Sequence, residues 1–149
     1  MAAWQGGSFS LIPDAFLIFR MIIADGRQRR MPIVIEHDRG SEEQYYFRRR
    51  IRAYLTMLRN EGYKELFQVG GITIAFTTSA GDERLKKMRE WTTIELQETG
   101  ETQFRNLFYF TLLKPPTGAQ QPPIDPYQVW VNTTWLPVDE IRPVALLGV

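Results

Sequence analysis

The stretch Asp14-Ala-Phe-Leu-Ile-Phe-Arg-Met-Ile-Ile23, followed by Asp25-Gly26 and then Met31-Pro-Ile-Val-Ile-Glu-His37, decides the fold. Its first part is a nearly continuous apolar series, too rich for a strand with one face in water. Pro13 cannot donate to a β-ladder, so the strand is expected to begin just after it. Asp25-Gly26 is a strong hairpin signal, because glycine supplies the positive φ that a tight turn demands. The two strands are therefore expected to pair antiparallel.

Downstream of this hairpin, Asp38-Arg-Gly-Ser41 breaks the pattern. Ser41, followed by Glu42 and Glu43, reads as a helix start: the serine caps free amides and the acids complement the helix dipole. Phe47, Ile51, Tyr54, Leu55 and Leu58 then recur at helical spacing, and Gly62 reads as the stop. A short helical turn follows at Tyr63 to Phe67. Ile72 to Thr78 is β-branched and apolar enough for a buried strand. Asp82 to Gln97 reads as a second helix, with Leu85, Met88, Trp91 or Thr92, and Leu96 on one side. Asn106 to Leu113 reads as another strand. Lys114 to Gln128 holds five prolines and is expected to be a loop long enough to carry a function. Two short extended pieces, Val129 to Leu136 and Pro143 to Leu147, are expected to close the chain.

A hairpin followed by helix crossovers implies an α/β fold: a mixed sheet with an antiparallel hairpin and flanking helices. At 149 residues, the chain is expected to be a single domain over 1–149, with the proline-rich loop at 114–128. Its 44% hydrophobic and 23% charged fractions are ordinary for a globular protein. Cysteine is absent, which excludes disulfides and thiolate chemistry and fits a cytoplasmic location. No apolar run approaches the roughly 20 residues of a membrane helix, so no membrane role is expected. The net charge of +1 argues for no partner, but from Arg27 to Arg52 eight arginines face four acids. Such a patch is either a phosphate footprint or a solvated helix face laced with Glu42 and Glu43.

Three acids stand out by position. Asp14 opens the first strand, while Glu36 and Asp38 lie two apart at the end of the second and so share a face. Antiparallel pairing brings Asp14 beside Glu36. Converging carboxylates suit Mg²⁺ or Mn²⁺, which can orient water at a phosphodiester. Acids at strand ends also cap helices and pair with arginine, so spacing alone leaves both readings open. His37, the only histidine, points away from Glu36 and Asp38 and reads as structural. No serine has a histidine base in reach, and the glycines form no phosphate loop. Trp91, Trp130 and Trp135 can stack bases, but such aromatics are more often core.

Ile12-Pro13-Asp14-Ala15, followed by Ile35-Glu36-His37-Asp38-Arg39-Gly40-Ser41, resembles the PD-(D/E)xK nuclease-like fold. More narrowly, it resembles the C-terminal domain of bacterial replication-relaxation proteins. The similarity continues through the basic helix Phe47-Arg-Arg-Arg-Ile-Arg-Ala-Tyr54, through Phe76-Thr-Thr-Ser79 and the closing Pro143 to Gly148. It implies a role in plasmid replication and DNA topology, with DNA and replication proteins as partners. It also implies a preceding winged-helix region, so the chain is expected to be a fragment. Where the nuclease pattern has lysine, this chain has Asp38; where the narrower family often has lysine on the following helix, it has Arg50. Arg50 sits on the rim of the apolar stripe with Glu43, placed to reach the carboxylates or to pair with Glu43 or Asp38. Arginine stabilises developing negative charge but cannot act as a base.

Three functions follow. In an active endonuclease or nickase, Asp14 and Glu36 hold the metal, Asp38 assists and Arg50 meets the scissile phosphate. In a catalytically silent nuclease-like module, Arg39, Arg48, Arg49 and Arg52 hold DNA, or the module holds a replication partner. In a protein-interaction domain, Lys114 to Pro126 docks a partner. The missing lysine favours the second.

Overall fold

A computed structural model describes residues 2–4, 7–9, 11–113, 125–132 and 134–147. Strands β1 (Ala2–Trp4) and β2 (Gly7–Phe9) form a small antiparallel pair. The hairpin follows as β3 (Ala15–Ile22) and β4 (Gln28–Asp38), antiparallel, with Ala15 opposite Ile35 and Ile22 opposite Gln28. Gly26 sits in the turn at a φ of 80°, a conformation L-residues with a Cβ rarely adopt.

Helices α1 (Gln44–Asn60) and α2 (Gly62–Phe67) carry the chain to β5 (Thr73–Thr78), parallel to β4. Helix α3 (Asp82–Thr99) and a 3₁₀ turn at Thr102–Leu107 then lead to β6 (Phe108–Leu112), parallel to β5. Helix α4 (Pro126–Val131) precedes β7 (Leu136–Pro137), antiparallel to β6. The result is a five-stranded mixed sheet in the order β3-β4-β5-β6-β7.

Side-chain alternation divides the sheet into two faces. Val34, Ile74, Phe76, Phe108 and Phe110 pack against Phe47, Ile51, Leu55 and Leu58 of α1 and Leu85, Met88 and Leu96 of α3. The expected stripe of α1 is therefore its buried face. Ile33 and Ala75 belong to the other face, where Trp130 and Trp135 stack at 5.7 Å and Leu146 and Leu147 complete a second core.

Several boundaries differ from those expected. Ser41 does not cap α1: the N-cap position is Glu43, without a side-chain bond, and the helix begins at Gln44. The backbone of Glu42 is instead bonded by Arg84, which holds the segment outside the helix. Gly62 does not end α1 but begins α2. Glu61 adopts the left-handed conformation, and its amide bonds the Met57 carbonyl. The piece expected to be extended over Val129 to Leu136 divides: Val129 to Val131 end α4, while Trp135 bridges Val144 and Leu136 begins β7. Asp125 accepts a bond from the Tyr127 amide and Pro126 takes the first turn, a start signal that overrides the β-propensity of Val129 and Val131. The proline-rich loop expected at 114–128 therefore gives way to helix from Pro126, and residues 114–124 lie outside the described residues. Pro143 to Leu147 makes one β-bridge, Val144 to Trp135.

Candidate functional site

The carboxyl ends of the parallel strands β4 and β5 lie side by side, and the starts of α1 and α3 meet above them. Ligands of open α/β sheets commonly bind at such strand ends. Gly40 makes the turn from β4 toward α1 possible. Its φ is 87°, and a Cβ there would lie 2.5 Å from the Cβ of Ala80.

The hairpin register puts Asp14 one step beyond the Ala15–Ile35 pair, beside Glu36. The His37 amide donates to Asp14 Oδ2 at 2.7 Å, pinning the start of β3 to the end of β4. Glu36 faces the helices and is buried. One of its oxygens accepts from the Tyr54 hydroxyl, and the other lies 3.3 Å from Arg50 Nη1. Arg50 Nη2 donates to Glu42 at 2.8 Å, so one guanidinium bridges two carboxylates. Arg50 thus reaches Glu36 as its place on the rim suggested, but its second partner is Glu42 rather than Glu43 or Asp38.

Asp38 is gripped differently. Arg84, from the first turn of α3, donates through Nε and Nη2 to both of its oxygens at 3.0 and 2.7 Å. The Thr78 hydroxyl adds a bond at 2.8 Å. The Arg84 guanidinium also lies 5.0 Å from the Trp91 ring centroid, which fixes its plane.

These contacts set different acidities. Burial pushes the Glu36 carboxyl above the usual glutamate range, and Asp14 and Glu42 add to the rise; Tyr54 and Arg50 only partly offset it. Burial raises Glu42 as well, with Arg50 opposing. Burial also acts on Asp38, but the bonds from Arg84 and Thr78 and the Arg84 charge outweigh it, holding Asp38 below its usual range. Burial and the Glu36 carboxylate together push the Tyr54 hydroxyl far up, so Tyr54 remains a donor.

The carboxylates of Asp14 and Glu36 already have hydrogen-bonding partners. Both Glu36 oxygens are engaged, one Asp14 oxygen accepts from the backbone, and the neighbouring positive charge is a guanidinium. Among the described residues, no group of three or more histidine and acidic side chains is arranged around a metal position. His37 faces the opposite side, with Nδ1 2.7 Å from Thr77 Oγ1.

Of the arginines expected to hold DNA, Arg48, Arg49 and Arg52 line one groove together with Glu43 and Glu95, and Arg39 is not among its lining residues. Arg48 and Arg52 both bond the buried carboxylate of Glu95, and both reach Glu98. They tie α1 to α3. Arg49 lines the same shallow groove beside Gln44 and Tyr45. Arg39 stands exposed in the turn after β4. Glu42, Tyr54, Arg84 and Glu95 carry the site's chemistry without having been singled out for it. Tyr54 drew notice as a core residue and as the end of the basic-helix similarity, and nothing local marks Arg84 or Glu95.

Beside Tyr54, an apolar cavity of about 620 Å³ opens among Leu11, Phe16, Met57, Phe67 and Ile72. Among the described residues no helix is long and apolar enough to cross a membrane. No family model, curated protein or solved structure matches the chain.

Proposed function

We propose that this chain is a nuclease-like, DNA-interacting domain whose carboxylate site is neutralised by arginine and does not cut. The observation that carries the proposal is the Arg50 bridge between Glu36 and Glu42, beside Asp14 at the end of the hairpin. Two carboxylates brought together by this hairpin are what a PD-(D/E)xK core would present to Mg²⁺ or Mn²⁺. Here Arg50 supplies a positive charge to Glu36, and Arg84 occupies both oxygens of Asp38. A guanidinium compensates clustered acids but lowers no water pKa, so it generates no hydroxide. The resemblance to replication-relaxation proteins supplies the biological setting, plasmid replication and DNA topology.

An active Mg²⁺- or Mn²⁺-dependent endonuclease is the competing reading, favoured by the meeting of Asp14 and Glu36. Docking through Lys114 to Pro126 falls largely outside the described residues. Incubating the protein with supercoiled plasmid and either ion separates the first two readings. The proposal expects retarded but unnicked plasmid. Nicking that disappears in Glu36→Gln would establish the endonuclease instead, and no retardation at low salt would remove DNA from the account.

A further inference from the structure

We propose that the outer half of the β3–β4 hairpin is a basic ribbon that grips the phosphate backbone of duplex DNA. The proposal rests on the DNA-interacting reading above and names the surface that performs it.

The register leaves this half of the hairpin without a third strand. Strand β4 pairs with β5 only from Ile33 to Asp38, whereas β3 and β4 pair as far as Ile22 and Gln28. From Ile18 and Pro32 outward the sheet is therefore a two-stranded ribbon ending in the turn at Gly26. It carries Arg20, Arg27, Arg29 and Arg30, all exposed. The single acid there, Asp25, bonds Arg27. Among the described residues no carboxylate pairs with Arg20, Arg29 or Arg30; Arg30 donates weakly to the Gln68 carbonyl at 3.4 Å. By contrast, Arg48, Arg50, Arg52, Arg59 and Arg84 each meet an acid.

Two features point to phosphate as the occupant. Arg20 and Arg30 are direct cross-strand partners, an arrangement of like charges that weakens strand pairing. An anion between the two guanidiniums would turn that repulsion into binding. Alternation also puts Arg29, opposite Met21, on the other face of the ribbon from Arg20 and Arg30. Phe19, Met21 and Met31 on the Arg29 face pack against the second core, so the exposed guanidiniums meet phosphates along the ribbon's edge and tip. Arg20 lies six residue steps from Asp14, about 20 Å along the strand. That length covers on the order of six phosphates of one strand. The acids at the far end keep the duplex on the basic half.

Fluorescence anisotropy of a short labelled duplex with the full chain tests the proposal. The combined variant Arg20→Gln, Arg29→Gln, Arg30→Gln should bind about tenfold or more weakly at low salt, with the slope of log K against log salt reduced by about 3. The corresponding triple lysine variant keeps the charge and should retain most of the affinity, which separates loss of contact from loss of fold. The control Lys86→Gln, Lys87→Gln, on an exposed face of α3, should bind like the parent. Unchanged affinity and slope in the glutamine variant, or an equal loss in the α3 control, would overturn the ribbon and leave the DNA-interacting reading standing. If the parent protein binds no duplex, or binds anionic vesicles instead, both fall.

Discussion

Arg50 Nη1 lies 3.3 Å from Glu36 Oε2, joining the rim of α1 to the end of β4. The contact links the hairpin to the helix that covers it, and it puts a fixed positive charge in a pocket of acids. Glu36 remains costly to ionise even so, because burial and its acidic neighbours outweigh Arg50 and Tyr54. The site therefore stores an electrostatic penalty that measurement can recover.

The folded pKa of Glu36 lies above its ordinary value, so the folded protein keeps this proton to higher pH than the unfolded chain does. Stability from this group is full in acid and is lost as pH rises through the folded pKa. Glu36→Gln should therefore raise the melting temperature at neutral pH, with the gain closing below about pH 4. The amide keeps an acceptor for Arg50 and can donate to the Tyr54 oxygen. A lower melting temperature at neutral pH would mean that the carboxylate is a net stabiliser.

Asp38 has the opposite sign. Its folded pKa is depressed, so its contribution is present above the unfolded value and is lost as pH falls through the folded one. Asp38→Asn should destabilise by about 3 kcal/mol near neutrality, since it leaves the Arg84 guanidinium without its carboxylate. It should also flatten the acid limb of the stability curve. An acid limb as steep as that of the parent would assign the effect to other carboxylates.

Glu95 has no side-chain exposure and joins Arg48 and Arg52 across the α1–α3 seam. Glu95→Gln should cost on the order of 2–3 kcal/mol, less than a fully buried pair because both arginines keep some solvent. Urea denaturation gives the number. A cost near zero would show that helix packing alone carries the seam, and would release both arginines for other partners.

Ile51 is completely buried between α1 and the sheet. Ile51→Ala should cost about 2–5 kcal/mol. A melting temperature equal to that of the parent would contradict the register of α1.

What was legible in the sequence was whatever depends on local pattern. The hairpin could be read because Pro13 and Asp25-Gly26 bracket an apolar run, and its pairing then brought Asp14 to Glu36. The stripe from Phe47 to Leu58 fixed the buried face of α1. Asp38–Arg84 and Arg48–Glu95 were illegible, because each joins residues more than 40 apart on separate elements and no local period sets one helix's register against another. Helix α4 was legible but misread. Asp125-Pro126 is a helix start, and the β-branched valines and Trp130 after it argued louder for a strand.

The claim that arginine takes the place of a metal is tested most directly by titrating the protein with Mn²⁺ and following the free ion by electron paramagnetic resonance. The parent protein should leave the Mn²⁺ signal undiminished up to millimolar ion. Arg50→Ala, which strips the positive charge from Glu36 and Glu42, should bind the ion. Binding of Mn²⁺ by the parent, abolished by either Asp14→Asn or Glu36→Gln, would contradict the claim.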